Sequence, residues 1–259
     1  MFDLSKKSIL ITGSTGHIGK HLAHGLASMG AIVYVNSRTK KKCTDLANEI
    51  NNKGYKAIAA PFDITVEKEI KNYINSIDAL DVLVNNAAYY RKGGTMMSSV
   101  NEDYLSCYES CVVASANLIK LFEPKLQNAV KTNASASIIN ISSMYGMVSP
   151  DIRIYESQET TSPPLYGAAK AAIIQLTKYA ACELASKKIR VNCISPGPFP
   201  SEKAQRDLPV MVEKIINKVP MGRIGNPNEL VGPVAFLASD SSSYVTGINM
   251  PVDGGWTSW

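Results

Sequence analysis

Several signals are missing from this 259-residue chain, and each absence removes a class of function. Its five cysteines (Cys43, Cys107, Cys111, Cys182 and Cys193) form no C-x-x-C pair and have no histidine partners at metal spacing. Free thiols in a reducing compartment and no metal site are therefore expected. No signal-peptide h-region precedes the first strand-like run, and no apolar stretch reaches membrane-spanning length. That predicts a cytoplasmic protein with no membrane partner. The formal charge of +5 comes without an arginine-rich arm or a recognition module, so no nucleic-acid partner is expected. No repeat, low-complexity tract or linker interrupts the chain, which reads as one domain over 1–259. Hydrophobic content of 45% and charged content of 19% leave an ordinary globular composition to be explained.

What is present is an alternation of short apolar runs and helical periods. Ser8–Thr12 reads as a buried strand ending at Gly13-Ser14-Thr15-Gly16-His17-Ile18-Gly19, and an amphipathic helix follows to about Met29. In that context glycines admit a pyrophosphate to the backbone and the helix N-terminus offers it free N–H groups. A second strand, Ala31–Val35, leads to Arg38 with no acidic residue nearby. An acid there would bind the ribose 2′-hydroxyl of NAD, whereas an arginine suits the 2′-phosphate of NADP, so NADP is the expected cofactor and NAD the alternative. Lys40, Lys41 and Lys42 open the next helix against its dipole, as a solvated cluster or as company for a phosphate. Further strands are expected at Lys56–Asp63, Asp81–Ala88, Ser135–Ile141, Lys188–Ile194 and Gly247–Val252. Between them lie helices near Val66–Ile77, Asn101–Gln127 (with Pro124 near its end) and Pro227–Leu237, a polar loop at Tyr89–Met97, and an aperiodic stretch from Met147 to Pro164.

Tyr166 and Lys170 are four positions apart in a helical segment, and so lie one turn apart on one face. A phenol, with an unperturbed pKa of about 10, needs such a positive neighbour to exchange protons near neutrality. Gly13–Gly19, Arg38, Asp63, Asn86, Ser143 and Pro196-Gly197 all fall at the carboxyl ends of predicted strands, where ligands bind in a parallel sheet wrapped on both faces. The fold class is α/β, a doubly wound Rossmann-type domain with a seven-stranded parallel sheet flanked by helices.

Taken together and in this order, these motifs resemble the short-chain dehydrogenase/reductase family, compact branch, over essentially the whole chain. The matching elements are Thr12-Gly13 to Gly19, Asp63, Asn85-Asn86-Ala87-Ala88, Asn140-Ile141-Ser142-Ser143, Tyr166-x-x-x-Lys170, Ile189-Arg190-Val191-Asn192, Pro196-Gly197 and Asp253-Gly254-Gly255. The resemblance implies a ketone/secondary-alcohol oxidoreductase and a homotetramer. Tyr166 would be the acid/base, Lys170 would hold the nicotinamide ribose and ease ionisation of the tyrosine, and Ser143 would orient the reacting oxygen. The cofactor would contact Gly13, Ser14, Thr15, His17, Ile18 and Gly19 in the glycine turn, and Arg38, Asp63 and Ile64 beyond it. Asn86, Ala87, Pro196, Gly197 and Phe199 would complete its site with Tyr166 and Lys170.

Two departures stand out. His17 occupies a position where the compact branch usually has glycine, and the resulting spacing is that of the extended branch, which includes nucleotide-sugar epimerases and dehydratases. Cys111 falls where the family places a catalytic asparagine, which raises a non-catalytic cofactor sensor as an alternative. The Met147–Pro164 segment offers Asp151, Arg153, Tyr155, Glu156, Gln158 and Glu159 close to the expected site, and Ser143-Met144-Tyr145-Gly146 with Pro150-Asp151-x-Arg153-x-Tyr155-Glu156 is similar to surface-glycan-pathway dehydrogenases and, more distantly, to gluconate 5-dehydrogenases. A small polar, sugar-like substrate is the expectation.

Overall fold

The structure is a computed structural model and describes residues 2–88 and 93–259; residues 89–92, part of the loop expected at Tyr89–Met97, lie outside it. Seven strands make one parallel sheet: β1 (Ser8–Ile11), β2 (Ile32–Ser37), β3 (Lys56–Pro61), β4 (Val82–Asn85), β5 (Ala136–Ile141), β6 (Ile189–Pro196) and β7 (Asn249–Val252). Their order across the sheet is β3-β2-β1-β4-β5-β6-β7. Order reverses beside β1, which pairs with β2 on one side and β4 on the other, so a crevice opens at their carboxyl ends.

Side-chain alternation decides which helix covers which face. Ile9 and Ile11, Val33 and Val35, and Val82 and Val84 point to one face. That face is covered by α1 (His17–Ser28), α2 (Lys40–Asn52) and α9 (Val231–Ala238). Leu10, Leu83 and Ile138 point to the other, beneath α3 (Glu67–Ile74), α5 (Ala114–Asn133) and α6 (Pro164–Leu184). Burial on both faces explains why the strands read as apolar runs and not as alternating ones.

The long helix differs from its expected course. It begins as α4 (Asn101–Tyr108), widens into a π-helical turn at Glu109–Val113, and continues as α5 well beyond the expected end near Gln127. Pro124 lies inside it. Proline is exposed there and so is Lys120, four residues earlier, whose carbonyl loses its intrahelical donor; water can supply the missing bond. The helix ends instead at Ala134, which takes a left-handed conformation (φ 63°).

Two short helices, α7 (Glu202–Asp207) and α8 (Pro209–Lys218), follow β6. The aperiodic 147–163 stretch contains two 3-10 turns, Ile152–Ile154 and Gln158–Thr160, and packs against α8. Met144, Ile154, Met211, Ile215, Val219 and Trp256 form a separate apolar cluster at that contact.

Candidate active site

A cavity of about 680 Å³ runs along the carboxyl ends of the strands. At its foot lies the glycine turn. Gly13 has φ +62°, and a Cβ there would meet the Ala87 Cα at 2.9 Å. At Gly19 an added Cβ would stand 2.4 Å from the Gly13 carbonyl oxygen. Both positions therefore require glycine for the turn to close over the start of α1. The loop after β4 holds this turn in place. Asn86 donates its amide to the Thr12 carbonyl (2.9 Å), and the Thr12 hydroxyl accepts the backbone N–H groups of Asn86 and Ala87 (3.0 Å each).

Thr15, His17 and Ile18 line the cavity beside Gly13 and Gly19. Ser14 does not. Its side chain is fully buried, and its hydroxyl donates to the Asn36 carbonyl at 3.1 Å, which puts it beneath the turn. Asn36, absent from the expected set, does line the cavity. Its amide donates to the Ala60 and Phe62 carbonyls (2.8 and 3.1 Å), tying β2 to β3 below the turn. A buried asparagine at the end of a strand is the signal that would have pointed to it.

Arg38 is exposed just past β2 and lines the cavity with Asp63 and Ile64 past β3. The Asp63 carboxylate is engaged locally, accepting from the Thr65 N–H and hydroxyl at 2.9 and 2.8 Å. Glu69 in turn accepts the Asp63 N–H at 2.8 Å, which fixes the corner. At the opposite end, Pro196, Gly197 and Phe199 lead off β6, and the Gly197 N–H is held by the Val252 carbonyl (2.9 Å).

The middle wall carries Ser143, Tyr166 and Lys170. Pro163 and Pro164 start α6, so that Tyr166 comes in its first turn. The two serines after β5 have different tasks. Both line the cavity; the Ser142 hydroxyl donates to the Lys170 carbonyl (2.7 Å), whereas the Ser143 hydroxyl makes no such bond to α6 and accepts the Tyr145 N–H (3.2 Å). Close approach of this turn to α6 requires two glycines. A Cβ on Gly167 would stand 2.8 Å from the Tyr145 carbonyl oxygen, and one on Gly146 would stand 2.8 Å from the Lys170 carbonyl carbon. Lys170 is 4% exposed; its ammonium donates to the Ile141 carbonyl (2.8 Å) and lies 5.7 Å from the centre of the Tyr166 ring. An ammonium has three donors, so this bond leaves others to serve the cavity.

Cys111 falls in the π-helical turn and packs with Cys107, Leu165 and Ala169, away from the cavity. Burial and the contact with Cys111 push the Cys107 thiol up, the Cys111 hydrogen bond contributing most. The cavity is lined instead by Ser110, together with Glu109 and Ser106. The π-helical turn changes which side chain this helix presents, a rotation that residue spacing does not reveal.

None of Asp151, Arg153, Tyr155, Glu156, Gln158 and Glu159 lines this cavity. Asp151 accepts from Arg153 and from Lys218 of α8, each at 2.9 Å, and these cations hold its carboxyl well below the usual carboxylate range. The Tyr155 hydroxyl meets that of Tyr145 at 2.9 Å. Burial pushes both phenols above the ordinary tyrosine value.

The arrangement places the glycine turn and the Ser143, Tyr166 and Lys170 side chains along one cavity. Over residues 13–257 the chain matches a family model described as enoyl-(acyl carrier protein) reductase. It belongs to the short-chain dehydrogenase/reductase family, as its motifs led us to expect. A 5-keto-D-gluconate 5-reductase of Escherichia coli is 32% identical, covering 98% of this chain and 97% of its own length. A 3-oxoacyl-[acyl-carrier-protein] reductase of Staphylococcus aureus is also 32% identical, covering 96% of this chain and 97% of that protein. Among solved structures, a gluconate 5-dehydrogenase from Burkholderia cenocepacia in complex with NADP and tartrate superposes with a TM-score of 0.88. It is 30% identical, with 100% of this chain and 98% of that chain covered. This chain is likewise an oxidoreductase of the family.

Proposed function

We propose that this enzyme uses NADP(H) to interconvert a ketone and a secondary alcohol on a small polar, sugar-like substrate. One observation carries the reading. Ser143, Tyr166 and Lys170 occupy one wall of a cavity whose far end holds the glycine turn and Arg38. The bound cofactor supplies or accepts hydride. The residues named here bind, orient and move the proton. Gly13, Gly19 and the start of α1 would hold the pyrophosphate, and Arg38 the 2′-phosphate. Ser143 donates a hydrogen bond to the substrate oxygen, Tyr166 gives or takes its proton, and Lys170, fixed by the Ile141 carbonyl, keeps positive charge beside the phenol. The polar substrate class is supported by the 5-keto-D-gluconate 5-reductase relative and by the tartrate named with the Burkholderia structure.

A second reading, reduction of a 3-oxoacyl thioester, is favoured by the equally similar Staphylococcus relative. The epimerase or dehydratase alternative keeps only the glycine spacing in its support. A sensor role loses the observation behind it, because Cys111 packs away from the cavity. We further take the enzyme to be a cytoplasmic homotetramer of single-domain subunits. Exposed Leu105, Tyr108 and Val113 along the long helix and Tyr179 on α6 support an assembly surface. No helix of the described residues is long and apolar enough to cross a membrane.

NADPH oxidation measured against keto-sugars, keto-acids, diketones and a 3-oxoacyl thioester tests the reading. Turnover of a keto-sugar or sugar acid, well above the thioester, is the expected result. Preference for the thioester would replace the polar-substrate reading with the acyl one.

A further inference from the structure

All three histidines of the chain, His17, His21 and His24, lie on α1 at spacings that put them on one face of the helix. His24 is turned to Glu49, its Nε2 lying 3.1 Å from Oε1, and Lys20 and Lys53 reach the same carboxylate. The other two meet each other. The His17 and His21 rings stand edge to face, with centres 6.0 Å apart and planes at 77°. His17 is exposed and His21 half-buried, so a small ion reaches both. His21 Nδ1 lies 2.8 Å from the Asn228 side-chain oxygen. That oxygen can only accept, so Nδ1 carries the proton and Nε2 keeps its lone pair. A far ring nitrogen donating to a fixed carbonyl is what orients metal-ligating histidines. Asn228 is itself fixed, because its N–H donates to the Asn226 side chain (3.0 Å) within the capped turn Pro227–Leu230.

We propose that His17 and His21 form a two-imidazole site on the first turns of α1 for a divalent transition-metal ion of the Zn²⁺ and Ni²⁺ class. The spacing is that of the H-x-x-x-H pair by which a helix grips zinc from one face. Zn–N bonds of about 2.1 Å at a near-tetrahedral angle put the centres of two ligating rings about 5 Å apart. A modest side-chain rotation closes the observed 6.0 Å to that separation and leaves the backbone of α1 in place. Among the described residues no group of three or more histidine, cysteine, aspartate or glutamate side chains is placed to hold a metal, so water completes the coordination sphere. Imidazole nitrogen suits Zn²⁺ and Ni²⁺, whereas Mg²⁺ and Ca²⁺ require oxygen donors. The cysteine pattern, from which no metal site is expected, does not bear on histidines one turn apart. The site uses none of Ser143, Tyr166 and Lys170 and does not depend on the cofactor or substrate reading.

Calorimetric titration of the metal-stripped full chain with Zn²⁺, Ni²⁺ and Mg²⁺ tests the site. Every protein compared carries Cys182→Ser, which removes the exposed thiol as a rival ligand. His17→Gln, His21→Gln and His24→Gln are set beside this parent, and circular dichroism establishes that each keeps its fold. Expected is one Zn²⁺ or Ni²⁺ per parent chain and no Mg²⁺. His17→Gln and His21→Gln should each weaken Zn²⁺ binding at least about tenfold, while His24→Gln stays within about twofold of the parent. No binding of Zn²⁺ or Ni²⁺ by the parent at millimolar ion overturns the proposal. So does an affinity left unchanged by His17→Gln or by His21→Gln, and so does a loss in His24→Gln equal to theirs.

Discussion

Around the glycine turn the close contacts are made with backbone atoms; beyond Ser143, behind the cavity wall, long side chains hold one segment to another. The first region is built from Gly13, Gly19, Thr12 and Asn86, whose contacts each involve a backbone atom. The second is built from Asp151–Lys218, Tyr145–Tyr155 and the Met144–Trp256 cluster, which join the 147–163 segment to α8. Backbone-made surfaces tolerate almost no substitution, because an added methyl group meets atoms that cannot move aside. Side-chain-made surfaces can exchange partners and still close. Such a division lets one scaffold keep a backbone-made cleft while a side-chain-made region changes.

The sharpest way to break this contrast is at Gly19. Gly19→Val is expected to abolish NADPH binding, with loss of at least about 100-fold in affinity, since even a Cβ would lie 2.4 Å from the Gly13 carbonyl oxygen. Equilibrium titration checks it, with circular dichroism to establish that the sheet persists. Arg38→Ala should raise the Kd for NADPH about tenfold or more and leave that for NADH unchanged, which side-by-side titrations would reveal. An equal loss for both cofactors would remove Arg38 from the 2′-phosphate site.

Changes behind the cavity wall, in the 147–163 segment, should be milder and reach the substrate only indirectly. Tyr155→Phe removes one hydroxyl from the Tyr145 pair and costs about 1 kcal/mol. A severalfold rise in substrate KM with unchanged cofactor affinity is the expected outcome. Asp151→Asn should act in the same direction and give the smallest effect at neutral pH. The sign of its pH dependence follows from a folded-state carboxyl held below its unfolded value by Arg153 and Lys218. That stabilisation is present above the unfolded value of about 3.9 and is lost as pH falls through the lower folded value. Thermal melts of wild type and Asp151→Asn should therefore differ by a constant amount from pH 5 to pH 8 and converge only in strong acid.

This division also accounts for what could be read from residues alone. Gly13, Gly19, Asn86 and the Tyr166–Lys170 pair were legible because backbone geometry or helical spacing restricts what can stand there. Ser143 was legible for the same reason, although only the fold shows that Ser142 turns down onto Lys170. Ser14 was expected among the cofactor contacts, but its buried hydroxyl donates to the Asn36 carbonyl, and Asn36 lines the cavity in its place. The π-helical turn was illegible, since a single extra residue per turn leaves no mark in composition, and it exchanges Ser110 for Cys111 at the cavity. Nor did the polar character of the 147–163 segment reveal that Asp151 and Tyr155 are committed to holding it in place.

In the proposed reaction Tyr166 is the group that exchanges the proton. Tyr166→Phe removes one oxygen and leaves the ring beside Lys170. NADPH affinity and the rate of keto-sugar reduction, measured on the same preparation, test it directly. The expected result is a cofactor affinity within about twofold of wild type and a fall in kcat of about 10²–10⁴. Turnover retained at the wild-type rate would contradict the mechanism.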